Sequence, residues 1–173
     1  AELIHSTRIK HNFGDYADFA QRLFRFQEAS FRYIDETCGM QTKDKDGMYL
    51  DLAWMNAQPG LAAHMSSLDL DRPLNRVTLG AIAEYFLQQG KCPQWAIVVQ
   101  RLQELSAAVE LRNKGLSGHG FRGISREELE EKYQAPLTSL LNDLERIYQD
   151  LFGKAPGESP YEAVNRLIET LLL

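Results

Sequence analysis

The sequence predicts an all-α protein, a bundle of five to six helices. Three observations predict it. Apolar residues recur every three or four positions along nearly the whole chain, and no alternating run is long enough for a sheet. Helix-start signals stand at several junctions, among them "SREE" at 125–128 and "SPYE" at 159–162. The chain has 173 residues, enough to bury a continuous core without staples, and reads as one domain over 1–173.

The first long helix is expected to start at Asp15, an N-cap residue with Asp18 at N3, and to run to about Glu36. Tyr16, Phe19, Leu23, Phe26 and Ile34 share one side, while Phe24, Phe31 and Tyr33 lie around the rest. A helix apolar over most of its circumference is buried on more than one face. Two readings follow: a central core helix, or a helix that packs its own core and also a second protomer. From 39 to 76 the pattern breaks down into a loop-rich segment, where "LAWMNAQPGLAAHMSSL" allows one or two short helices. Helix resumes from about Thr78 to Gln89, with Gly90 as the residue after the cap and Pro93 preventing continuation. In "QWAIVVQRLQELSAAVELRN" Trp95, Val98, Leu102, Leu105 and Val109 form an apolar stripe. Ser125 and Glu128 form a capping box for the next helix, and Pro136 is expected to kink or split it. Leu137, Leu140, Leu141, Leu144, Tyr148 and Leu151 then take up the period. The last helix starts with Ser159 as N-cap, Pro160 at N1 and Glu162 at N3.

Composition narrows the function. Hydrophobic residues make up 44% and charged residues 25%, values of an ordinary globular chain. No apolar run is long enough to cross a membrane. The opening "AELIHSTRIK" lacks the basic-then-apolar layout of a signal peptide. Cys38 and Cys92 sit in unrelated contexts and read as free thiols in a reducing cytoplasm. The net charge of -5 argues against a protein that coats nucleic acid along its whole surface. From Leu111 to Arg126, however, stand Arg112, Lys114, Arg122 and Arg126 with no carboxylate. Such a local basic patch suits a site that grips a few phosphates and releases them.

That patch contains "RNKGLSGHGFRG" at 112–123. Its second half fits G-x-G-x-x-G, but the dinucleotide fingerprint needs a preceding strand, and a helix of about twenty residues stands there instead. Extending the stripe three residues beyond Val109 reaches Arg112, so the arginine continues the apolar face. There it needs a partner, either another protomer or a ligand anion, because burying it unpaired is costly. Gly115, Gly118 and Gly120 let the backbone turn sharply and bring His119 back beside Arg112. Taken alone, a histidine in such a turn caps a helix end. Beside Arg112 and Asn113 it reads as chemistry on a phosphodiester. RNA carries its own nucleophile, the ribose 2′-OH; a histidine can take its proton or protonate the leaving 5′-oxygen. An arginine stabilises the charge that builds on phosphorus. No metal or other cofactor is expected, since His5, His11, His64 and His119 are scattered and there is no H-E-x-x-H. His64 and the "DKD" run at 44–46 read as surface features.

Arg, Asn, a short gap and His at a helix end resembles the catalytic motif of the HEPN superfamily. "ELRNKGLSGHGF" is similar to the version in the ancillary ribonucleases of type III CRISPR systems, and "GDYADFAQRLFRFQEAS" resembles an early helix of that group. Together these stretches cover about a fifth of the chain. The resemblance implies a HEPN-like helical fold and metal-independent cleavage of single-stranded RNA in antiviral defence, by a cytoplasmic homodimer. Arg112 and His119 of both protomers would line one cleft, with Asn113 as a positioning residue and Lys114 and Arg122 as substrate-phosphate contacts. Family ribonucleases usually carry an N-terminal Rossmann-like CARF domain that senses cyclic oligoadenylates, and no βαβ pattern here matches it. Either the chain is an excised C-terminal domain, the favoured expectation, or this member lacks the sensor. Cyclic oligoadenylate would then act only through a domain absent from this chain. The rivals are a non-catalytic HEPN module that dimerises or binds nucleotide, and a helical scaffold in which the arginine forms a structural ion pair.

Overall fold

In a computed structural model of the chain, residues 1–114, 123–157 and 159 are described, Asn113 and Lys114 by their backbone alone. Among the described residues the protein is all-α, with nine α-helices, two 3-10 turns and one isolated bridge between Thr42 and Leu50. The helices are more numerous than the periodicity predicts, because the first of them carries polar residues on its buried face and the stripe from Val98 to Val109 is divided between two helices. The chain forms two compact units, one of 1–23 with 107–173 and the other of 24–106.

The first unit opens with a helix the sequence reading did not anticipate, α1 (Glu2–Asn12). Its buried face is Ile4, His5, Ser6 and Thr7, so polar residues stand where an apolar stripe would announce it. Two of them satisfy themselves locally: the Ser6 and Thr7 hydroxyls donate to the Leu3 carbonyl at 3.1 and 2.6 Å. Gly14 then takes a left-handed φ of 69°, and the chain reverses into α2 (Tyr16–Thr37). Asp15 caps α2 as expected, its Oδ1 accepting from the Asp18 amide at 3.2 Å. Phe19, Ala20 and Leu23 from this first part of α2 are fully buried.

The unit ends with α8 (Arg126–Tyr133) and α9 (Leu137–Phe152). The Ser125–Glu128 capping box forms with both of its reciprocal bonds. Pro136 separates the two helices, as its missing N–H and ring require. Helix α9 buries Leu137, Leu140, Leu141, Leu144, Ile147 and Leu151 and packs on both α1 and α8. The buried residue of its fourth turn is Ile147; Tyr148 is half-buried and its ring lies 4.6 Å from that of Phe152. Arg8 pairs with Glu145, and the Tyr133 hydroxyl donates to Asp143. Of the expected last helix, Ser159 is described and buried; Pro160 and Glu162 lie outside the described residues.

The second unit holds the rest of α2, the short helices α3 (Leu52–Ala57) and α4 (Leu61–His64), α5 (Arg76–Gln88) and α6 (Ala96–Glu104). Asp51 and Asn75 cap α3 and α5 through their side chains. Gly90 takes the left-handed conformation after α5 as expected, and Pro93, expected only to prevent continuation, opens a 3-10 turn over Pro93–Trp95. Helix α5 packs against α4 and α6 around Leu79, Ile82, Ala83 and Phe86. His64 is half-buried rather than a surface feature, its Nε2 3.0 Å from the Ala81 carbonyl. Asp44 of the "DKD" run organises its own loop by accepting from the amides of Met48 and Tyr49 at 2.9 and 3.2 Å.

Phe31 corrects an expectation. It is 2% exposed, and its ring comes within 3.5 Å of where a Cβ on Gly80 would sit. It belongs to the core of this unit and is not a surface for a second protomer. Phe24 is half-buried, and Tyr33, 37% exposed, sets its ring edge-on to Trp95. The cysteines correct another. Cys38 and Cys92 form a disulfide, their Cα atoms 6.1 Å apart across 54 positions, instead of remaining free thiols.

The stripe from Val98 to Val109 is buried as expected, but not on one continuous helix. Helix α6 stops at Glu104, and α7 (Ser106–Glu110) follows after a turn. Gln27, fully buried on α2, causes the break. Its Nε2 donates to the Leu102 carbonyl at 2.5 Å and to the Ser106 hydroxyl at 2.9 Å. The Leu102 carbonyl is the acceptor that an unbroken helix offers to the Ser106 amide, so the side chain is inserted into the ladder.

Asp35, also on α2, is fully buried, and neither carboxylate oxygen has a partner among the described residues. Burial pushes its carboxyl well above the usual range; the Arg32 charge opposes this and Glu36 adds to it. Unfolded, the group titrates at about 4, so above that pH the folded chain holds a proton that the unfolded chain has lost. Its contribution to stability is therefore complete below about 4 and is lost as pH rises toward the raised folded value. Asp35→Asn is expected to flatten this slope and to gain stability relative to the wild type as pH rises above about 4, because the amide has no charged form to bury. Urea unfolding at pH 5 and pH 8 checks it; equal slopes for the two chains would refute the assignment.

Candidate active site

Beyond α7 the helix tightens into a 3-10 turn over Leu111–Lys114, which carries Arg112 and Asn113. Helical backbone thus leads directly into the glycine-rich stretch, and the strand that a dinucleotide fingerprint needs does not precede it. Arg112 comes three residues after the buried Val109 and is itself half-buried, as the stripe predicts. Its Nε donates to Oε1 of Gln21 on α2 at 2.6 Å. The polar neighbour that the sequence reading sought in a facing protomer is therefore supplied, at least for Nε, by the same unit of the same chain.

The surroundings of Gln21 on α2 are charged, and their charges are engaged with one another. Lys10 bridges Asp15 and Asp18 at 2.9 and 2.7 Å, and Arg22 lies 3.7 Å from Asp18. Hydrogen bonds to Lys10 hold the Asp15 carboxyl below its ordinary value, and bonds to Asp18 and Asp15 raise the Lys10 ammonium. Close by, His11 stacks obliquely on Phe19 at 6.2 Å, with its Nδ1 3.2 Å from the side-chain oxygen of Asn12.

The remaining site residues divide clearly. The side chains of Asn113 and Lys114, and His119 and Arg122 entirely, lie outside the described residues. Arg126, the last cation of the basic window, pairs with Glu130 at 2.9 Å, so that charge is partly neutralised within α8. Among the described residues, no group of three His, Cys, Asp or Glu could hold a metal ion, and no helix is long and apolar enough to cross a membrane. A shallow cavity of 360 Å³ in the second unit is lined by amides and apolar groups, with Glu84 its one carboxylate. Glu84 accepts from Gln103 there, and no nucleophile or general base stands beside it.

Sequence reasoning placed Arg112 and missed Gln21. Spacing could not have found it, because Gln21 lies off the Phe19–Leu23–Phe26 side of α2 and resembles any solvated polar residue. The fold and site together define an all-α protein with a half-buried, oriented arginine at the head of a glycine-rich basic stretch. Compared with known protein families, curated proteins and solved structures, the chain matches none.

Proposed function

We propose that this chain is a metal-independent endoribonuclease domain of HEPN type that cleaves single-stranded RNA. One observation supports the reading above the others: Arg112 sits half-buried at the end of the Val98–Val109 stripe with its guanidinium tethered to Gln21. An oriented, partly desolvated guanidinium at the start of a stretch containing Asn113, His119 and Arg122 suits a phosphate whose charge increases during reaction. In the proposed reaction the ribose 2′-oxygen attacks phosphorus and loses its proton to a base. The bond from phosphorus to the 5′-oxygen breaks, and that oxygen takes up a proton. His119 is the acid/base group, Arg112 stabilises the phosphorane, Asn113 positions the substrate, and Lys114 and Arg122 hold neighbouring phosphates. The active unit is a homodimer, and its setting is type III CRISPR defence; both extend the motif's resemblance, and a cytoplasmic location rests on that resemblance alone, because the paired Cys38 and Cys92 give no free-thiol argument for it.

Labelled single-stranded RNA incubated in EDTA with the wild type and His119→Ala tests this. Cleavage is expected for the wild type alone, leaving a 2′,3′-cyclic phosphate. A substrate with 2′-deoxyribose at the cleavage position is expected to resist cutting there. Repeating the assay over a dilution series tests the dimer, since specific activity falls once the protein is below its dissociation constant. Cleavage of DNA, or activity that returns only with magnesium, would refute the mechanism.

A further inference from the structure

We propose that the Cys38–Cys92 bond is a redox-active site, opened by a dithiol and closed again by a small disulfide while the second unit stays folded. The proposal does not depend on the ribonuclease reading. Both ends of the bond lie in turns. Cys38 directly follows α2, its amide still donating to the Ile34 carbonyl at 2.9 Å, and Gly39 behind it turns the chain at a left-handed φ of 99°. Cys92 lies between α5 and the 3-10 turn at φ 51°, a conformation that a β-carbon disfavours and that its surroundings must hold. Both cysteines are half-buried, and the residues on either side, Thr37 and Gly39, Lys91 and Pro93, are exposed. An incoming thiolate can therefore reach the sulfurs from solvent, and access of this kind separates disulfides that exchange from those that only staple.

The junction that the bond spans is also held by packing that contains no sulfur. Tyr33, shortly before Cys38, sets its ring edge-on to that of Trp95, shortly after Cys92, with centroids 6.3 Å apart. Phe31 of α2 approaches Gly80 of α5, and Ile34, Ile82 and Phe86 are buried in the same unit. Opening the bond lengthens a tether without removing the contacts that bring its ends together. Two thiols left with their Cα atoms 6.1 Å apart stay within the span of a disulfide, so closure needs no search over the 54 positions between them.

Opening proceeds by exchange. A thiolate of the dithiol attacks one sulfur, the Cys38–Cys92 bond breaks, and the other sulfur leaves as a thiolate that takes up a proton. The second thiol of the reductant then displaces the first protein sulfur. The dithiol becomes a cyclic disulfide, and the protein gains the two electrons and two protons that it gives up. A small disulfide reverses this balance, accepting the same electrons as it is cleaved to two thiols.

Dithiothreitol on the native full chain, followed by iodoacetamide and mass spectrometry, tests the proposal. Both cysteines are expected to be alkylated together, at a rate that rises with the concentration of dithiothreitol. The helical circular dichroism is expected to remain. The thermal midpoint is expected to fall by roughly 5–15 °C, because the loop constraint on the unfolded chain is lost. Oxidised glutathione, added once the reductant is removed, is expected to restore both the bond and the midpoint. The Cys38→Ser/Cys92→Ser chain is expected to fold, to have the midpoint of the reduced wild type, and to be indifferent to dithiothreitol. Alkylation that appears only after urea has unfolded the chain makes the bond a permanent staple and overturns the proposal. So does a reduced chain that loses its helix, or one that oxidised glutathione fails to close. A double-serine midpoint that also falls in dithiothreitol places the action of the reductant elsewhere, and the assignment falls.

Discussion

Phe31→Glu is expected to unfold the protein, not to release a folded monomer. On sequence grounds Phe31 looks like an interface residue, because it lies off the main apolar side of α2. In the structure it is 2% exposed and approaches Gly80 of α5, which has no side chain to stand in the way of the ring. Truncating a buried phenylalanine costs about 3–5 kcal/mol through lost transfer energy and the cavity left behind. Glutamate adds the desolvation of a carboxylate, which either stays charged at greater cost or takes up a proton. Against a total stability of about 5–15 kcal/mol, the combined loss is enough to abolish the fold at room temperature. The control is Phe13→Glu in the α1–α2 connection, where Phe13 is 82% exposed and little should change. Denaturant titration followed by circular dichroism checks both. A Phe31→Glu chain with the wild-type midpoint would return Phe31 to the surface.

That contrast shows where a sequence carries structural information and where it does not. Helix α9 and the Ser125–Glu128 cap were legible because their signals are local: a leucine every three or four positions, and two side chains three residues apart. Helix α1 was not, because apart from Ile4 its buried face is His5, Ser6 and Thr7, and the hydroxyls are satisfied by a carbonyl one turn back. The break at Leu105 is caused by Gln27, 75 positions away from Leu102, so no window over the stripe could show it. Pairing of Cys38 with Cys92 depends in the same way on how α2 and the 3-10 turn after α5 are brought together. Site residues divide along the same line. The position of Arg112 follows from helical periodicity, while its partner Gln21 stands 91 positions earlier and comes from the fold alone.

Arg112→Ala is expected to lower turnover by roughly 10²–10³-fold, the loss seen when one preorganised stabiliser of developing charge is removed. The hydrogen bond from its Nε to Gln21 gives the guanidinium a fixed neighbour on α2, which a preorganised group requires. The same geometry predicts that Arg112→Lys fails to restore activity. A lysine has no Nε–H to give Gln21 and no planar fork to meet two phosphate oxygens, so charge alone returns without direction. Arg122→Ala is expected to act differently. If it touches substrate phosphate alone, its removal weakens RNA binding and makes the dependence of affinity on salt shallower, with turnover at saturation nearly kept. Single-turnover rates at saturating RNA, together with binding measured at several salt concentrations, separate the two arginines. Equal losses of turnover with unchanged salt slopes would mean that neither arginine has the role given to it. Full recovery by Arg112→Lys would mean that position 112 supplies only charge, and the bond to Gln21 would then have no part in catalysis.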